Sequence, residues 1–110
     1  MSYLFTVRPE HCNKNGALHG GCATTLIDVL STSILIGIRR PDFWALPGVS
    51  RSLNITFLRP VPVGKEARIT CELIHAGRRL AMIRAEIQRT DNGEVCVIGE
   101  HDKANIDPKL

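Results

Sequence analysis

None of the four cysteines, Cys12, Cys22, Cys71 and Cys96, forms a CxxC pair, and none of the four histidines recurs at a metal-ligand spacing such as HxxxH. No metal site is therefore expected, and the thiols are expected to be free in a reducing compartment. A charged-then-apolar leader is missing at Met1, because residues 3–8 alternate, so cytosol or an organelle matrix is the expected location. There is no Lys-rich arm either. The formal net charge of +3 is spread over Arg39-Arg40, Arg59, Lys65, Arg68 and Arg78-Arg79, which argues against nucleic acid and leaves a phosphate-bearing small ligand open. No stretch combines low hydrophobicity with high charge. With 44% hydrophobic and 23% charged residues over 110 positions, the whole chain, 1–110, is expected to fold as one domain. The apolar run 22–38 falls short of the roughly 20 residues of a membrane span and carries Thr24, Thr25, Asp28, Ser31, Thr32 and Ser33. It is expected to be a buried helix of a soluble protein, with no membrane partner.

What is present has a clear order. Tyr3, Phe5 and Val7 alternate with Leu4, Thr6 and Arg8 and predict a strand over 3–8, closed by Pro9. Asn13-Lys14-Asn15-Gly16 marks a turn. From Gly20, the residues Ala23, Ile27, Leu30, Ile34 and Ile38 recur at helical spacing, and Leu26, Val29 and Leu35 widen the apolar surface almost all round. The spacing predicts a helix over 20–38 that its surroundings wrap on most sides, ending at Arg39-Arg40-Pro41. The period then switches to two over 52–58, 66–74, 80–88 and 94–102, with turns at Ala76-Gly77-Arg78 and Asp91-Asn92-Gly93. One face of the resulting sheet is apolar, through Ala67, Ile69, Cys71 and Leu73 and through Ala81, Ile83, Ala85 and Ile87. An α+β architecture follows, in which a curved antiparallel sheet wraps one long central helix.

Asp28 is the only charged side chain of that helix. Burying an unpaired carboxylate is costly, so it needs a polar pocket, a partner or a chemical task.

The ordered set 10–21 (Glu-His-Cys-Asn-Lys-Asn-Gly-Ala-Leu-His-Gly-Gly) with Asp28, Pro47-Gly48-Val49-Ser50, Leu53-Asn54-Ile55-Thr56-Phe57, Gly77-Arg78, Leu80-Ala81, Gly99 and His101 resembles the hotdog-fold acyl-CoA thioesterases over nearly the full chain. The resemblance implies the hotdog fold and hydrolysis of an acyl-CoA, with coenzyme A belonging to the substrate and no separate cofactor. It implies catalytic roles for Asn13, Gly20, Asp28 and Ser50. It further places coenzyme contacts in the turn formed by His75, Ala76, Gly77, Arg78 and Arg79, with Phe57 as a contact to pantetheine or adenine. Family members usually carry a helix and one more strand before the segment that here begins at Tyr3, so the N-terminus looks short and the strand over 3–8 is expected to be a bare edge.

Each residue also has a plain structural reading. Helix N-terminal amides lack intrahelical partners, so Gly20 can donate to a thioester oxygen; it can equally serve only the turn. Asp28 is a general base for water, a nucleophile, or a carboxylate bonded to a neighbour. Asn13 caps the turn or orients the thioester or water, and His19, a further catalytic candidate, orients the loop or transfers protons. Ser50 lacks a GxSxG elbow and suits water positioning better than attack. Cys22 packs in the core or is a thiol tuned by the helix dipole. His11 is a surface residue or ligand contact, and His101 is open between such readings. The acyl chain would lie beside Leu26, Ile27, Leu30 and Ile34, residues that also make the core.

Gly20 and Asp28 are eight residues apart, roughly 12 Å along a helix, too far to meet at one carbonyl. If both act on one thioester, a twofold partner must supply one of them, giving a homodimer with two shared sites. A dimer of dimers is the expected assembly. The rivals are an enoyl-CoA hydratase, for which the helix lacks a histidine, a non-catalytic acyl-CoA-binding protein, and a truncated inactive core.

Overall fold

The alternation of apolar and polar residues after the helix builds the larger part of a five-stranded antiparallel sheet. The protein is seen here as a computed structural model that describes residues 1–108. In chain order these form β1 (Ser2–Thr6), α1 (Gly20–Ile38), β2 (Val49–Phe57), β3 (Glu66–Ala76), β4 (Leu80–Arg89) and β5 (Val95–Ala104), with strand order β1-β3-β4-β5-β2. Two hairpins join β3 to β4 and β4 to β5. β2 returns to pair with β5, and β1 pairs with β3. The sheet curves around α1, as a hotdog fold requires.

Period two decides which strand residues face α1. Ala67, Ile69 and Cys71 of β3, Ala81, Ile83, Ala85 and Ile87 of β4, and Val97 of β5 are buried with Ala23, Ile27, Ile34 and Leu35 of α1. Gly99 of β5 permits the close approach, since a Cβ there would stand 2.9 Å from Ile27 Cγ2. The helix begins and ends where the sequence predicts. His19 caps it by accepting from the Gly21 amide at 2.9 Å, and Arg39 leaves it in an extended conformation.

Three expectations need correction. The first strand ends at Thr6 rather than Arg8, because Pro9 opens a 3-10 turn over Pro9–His11; Val7, outside the strand, still donates to Lys65 O at 3.0 Å. β2 begins at Val49 rather than 52, which puts Ser50 inside a strand, opposite Lys103 and just before a break in register at Ser52. Third, one chain covers α1 on one face and not on most sides: Val29 is 58% and Ile36 44% exposed. The sheet is a single layer and reaches only one face of the helix. The 19-residue length and mean hydropathy of 1.7 would also suit a membrane crossing; in this fold they serve packing against the sheet.

Candidate active site

At the N-terminal end of α1 the segment before the helix doubles back on itself, with Cys12 bridging Leu18 and the Asn13 amide donating to Ala17 O at 2.8 Å. Asn13 Oδ1 accepts from the Asn15 amide at 2.9 Å and the Ala17 amide at 3.3 Å, so its NH2 group is the part left to donate outward. Gly21 leaves room for the His19 ring that caps the helix, and Gly20 leaves room for Phe57, whose Cζ would stand 3.2 Å from a Cβ at that position. The Gly20 amide has no hydrogen-bond partner among the described residues, as expected of a first helical position. Asn13, Gly20, Ala23, Phe57, Arg59 and Val97 are among the residues lining a cavity of about 350 Å³ here. Two donors thus meet an apolar recess, an arrangement suited to a carbonyl oxygen that gains negative charge.

Two helical turns on, α1 meets β2 and β5 through polar groups. His101 is fully buried, its Nδ1 2.7 Å from Ser31 Oγ and its Nε2 2.6 Å from Ser50 Oγ. Asp28 Oδ1 lies 3.7 Å from the same Nε2, beyond hydrogen-bond length, and its side chain is 49% exposed. The expected burial of Asp28 is therefore only partial in one chain. Thr32 Oγ1 donates to Asp28 O at 2.8 Å and accepts from Lys103 Nζ at 2.9 Å. Burial, then the Lys103 charge, push the His101 pKa below its ordinary 6.5, against the pull of Asp28 and Asp102. The ring is thereby held in the form that donates from one nitrogen and accepts at the other.

The third group lies beyond the C-terminal end of α1. Buried Trp44 donates from Nε1 to Gly77 O at 2.8 Å, while Asn105 donates from Nδ2 to Arg78 O at 2.9 Å and from its amide to Arg79 O at 2.8 Å. Asp107 accepts from the Ala45 and Leu46 amides at 2.8 and 2.9 Å, tying the same loop to the chain's last described residues. Arg78 and Arg79 are exposed on this fixed turn beside a recess of about 730 Å³, with the His75 ring packed near Gly77 and Ala76 half-buried opposite Ala81.

The chain therefore brings Asn13, His19, Gly20 and Phe57 together at one place, Asp28 and Ser50 at a second, and His75, Ala76, Gly77, Arg78 and Arg79 at a third. Phe57 is separated from the basic turn with which the sequence grouped it, because β2 runs from the Asp28 cluster back toward Gly20. Ile27 and Ile34 are buried in the core, while the recess lined by Leu18, Ala23, Phe57 and Val97 lies at Gly20. Sequence reasoning left His101 open and missed Ser31, Thr32 and Lys103. The available signal was the two-residue spacing of Val97, Gly99, His101 and Lys103, which puts all four on the buried face.

A model of the Thioesterase superfamily matches residues 15–96. Mouse acyl-coenzyme A thioesterase 13 is 36% identical over 97 residues, which span 88% of this chain and 66% of that protein. The crystal structure of zebrafish thioesterase superfamily member 2 superposes with a TM-score of 0.87 at 32% identity, over 94% of this chain and 72% of that one. Its mouse counterpart gives 0.83 at 34% identity, over 92% and 76%. With a hotdog sheet, a capped HGG helix and a carboxylate on that helix, this chain belongs to the thioesterase superfamily. Its similarity runs to acyl-coenzyme A thioesterase 13 and thioesterase superfamily member 2, and the chain spans about two thirds of the length of the former.

Proposed function

We propose that this chain hydrolyses the thioester of a fatty or aromatic acyl-CoA to the free acid and coenzyme A. The observation that carries the reading is the half-exposed Asp28 carboxylate beside the Ser50 hydroxyl, on the same helix whose first amide is free at Gly20. Membership of the thioesterase superfamily and the 36% identity to a protein named acyl-coenzyme A thioesterase support it.

In this mechanism the Gly20 amide and the Asn13 NH2 group hold the thioester oxygen. Asp28 takes a proton from water positioned by Ser50, and the water oxygen bonds to the carbonyl carbon. The carbon–sulfur bond then breaks, and the thiolate leaves as coenzyme A after taking up a proton. Arg78 and Arg79 bind coenzyme phosphates, and no cofactor beyond the substrate takes part. Because Gly20 and Asp28 are eight residues apart on α1, roughly 12 Å, we place the base of each site on a second copy of the chain. An antiparallel twofold along the open face of α1 brings each Asp28 near the other chain's Gly20, and pairs of such dimers form a tetramer.

The test is a hydrolysis panel from acetyl- to palmitoyl-CoA with aryl-acetyl-CoA, scored by released thiol. Turnover with a preferred acyl group is expected. Calorimetric binding of acyl-CoA without thiol release would instead make the chain a non-catalytic binder.

A further inference from the structure

Lys103 is the one lysine among the described residues that is shut inside the fold, at 4% exposure. An ammonium in such a place is stable only with hydrogen bonds and opposite charge near it. Among the described residues it makes no direct ion pair; its nitrogen donates to Thr32 Oγ1 at 2.9 Å, and Thr32 in turn holds the Asp28 carbonyl at 2.8 Å. In the sheet it lies opposite Ser50 on β2, two residues past His101 on the same face of β5. One buried cation thus bonds Thr32, lies opposite Ser50 in the sheet and acts through its charge on His101 and Asp28.

We propose that Lys103 is a positioning residue of the hydrolytic site: through Thr32 it fixes the turn of α1 that carries Asp28, and its charge balances that carboxylate from the buried side. This inference rests on the hydrolytic reading above. Lys103 is enclosed by the fold, so it acts through Asp28, Thr32 and His101.

Its charge has a second consequence. Burial lowers the Lys103 pKa and Asp28 opposes that shift, while Lys103 in turn disfavours a proton on His101. The charged groups acting on the His101 ring are Asp28 from α1, Lys103 on the same face of β5 and, from the other face of that strand, Asp102; its register partners Leu53 of β2 and Ile83 of β4 carry no charge. A protonated ring would donate from both nitrogens and lose the acceptor that meets Ser31 or Ser50. Removing the Lys103 charge should therefore raise the pH at which His101 protonates and loosen Ser50 at that pH.

The experiment is Lys103→Gln in the full chain, which keeps a donor for Thr32 and removes the charge. Two readouts are taken: the His101 titration by 15N-edited NMR, and the steady-state constants for an acyl-CoA that the parent hydrolyses. The His101 midpoint should move to higher pH, and kcat should fall on the order of 10- to 100-fold with KM within about twofold. An unmoved midpoint overturns the proposal, and so does an unmoved kcat. If the parent hydrolyses no acyl-CoA, the hydrolytic reading fails by itself, while the titration still decides whether Lys103 acts on the cluster. Should Lys103→Gln not fold, Thr32→Val removes the acceptor at similar volume; a kcat loss of the same order supports the proposal, and parental kcat overturns it.

Discussion

At the scale of single residues, the buried His101 ring ties stability to pH. Its pKa is lowered in the folded chain, so below the ordinary 6.5 the unfolded chain binds a proton that the folded chain does not. The stability it contributes is complete above that value and is lost as pH falls toward the folded pKa. His101→Gln is expected to flatten the pH dependence of Tm below the ordinary 6.5 relative to the parent; an unchanged slope would detach the ring's proton from folding. Asp28→Asn keeps the shape of the side chain and removes its basicity, so kcat should drop by on the order of 10² or more with the circular dichroism spectrum intact. Parental turnover would take Asp28 out of the chemistry. Asp28 was legible in the sequence because a single charge in an apolar helix needs a polar pocket, a partner or a chemical task. His101 and Lys103 were not singled out, because the two-residue spacing that carries both inward holds for Lys103 only once β5 is known to run on to Ala104.

Among the elements, the loop into β2 has the tightest requirements. Gly48 has a φ of +74°, and a Cβ there would collide with the Ala104 carbonyl and stand 2.8 Å from Trp44 Cζ3. Gly48→Ala should cost about 1–3 kcal/mol in urea unfolding and lower kcat as well, since Ser50 follows two residues later; full stability would show that the loop yields freely. At the other end, Arg78→Ala with Arg79→Ala should raise KM for acyl-CoA with kcat less affected, and leave a short acyl-pantetheine substrate nearly untouched. Equal losses on both substrates would mean that the arginines do not read phosphate. Both helix ends were legible because His19-Gly20-Gly21 and Arg39-Arg40-Pro41 punctuate them locally. The early start of β2 and the extension of β5 to Ala104 were not, since they arise from Val49 and Ser50 pairing with Ala104 and Lys103 far along the chain. That extension is what turns Lys103 inward.

For the whole molecule, the hotdog architecture was legible from one apolar helix followed by four alternating segments, and its family from the ordered motifs. Under the proposed mechanism one chain holds less than a complete site: the donors at Gly20 and Asn13 stand at one end of α1, Asp28 and Ser50 lie farther along, and Val29 and Ile36 leave the outer face of α1 apolar. A second copy laid antiparallel on that face would cover it and complete two sites at once. The most direct measurement combines an Asp28→Asn chain with an Asn13→Ala chain in co-expressed, tag-separated heterodimers. Shared sites predict that each heterodimer regains one intact site and activity near half that of wild type, taking the two sites as independent. Heterodimers as inactive as both parents, beside active wild-type pairs prepared in the same way, would contradict the shared site and require Gly20 and Asp28 to act within one chain.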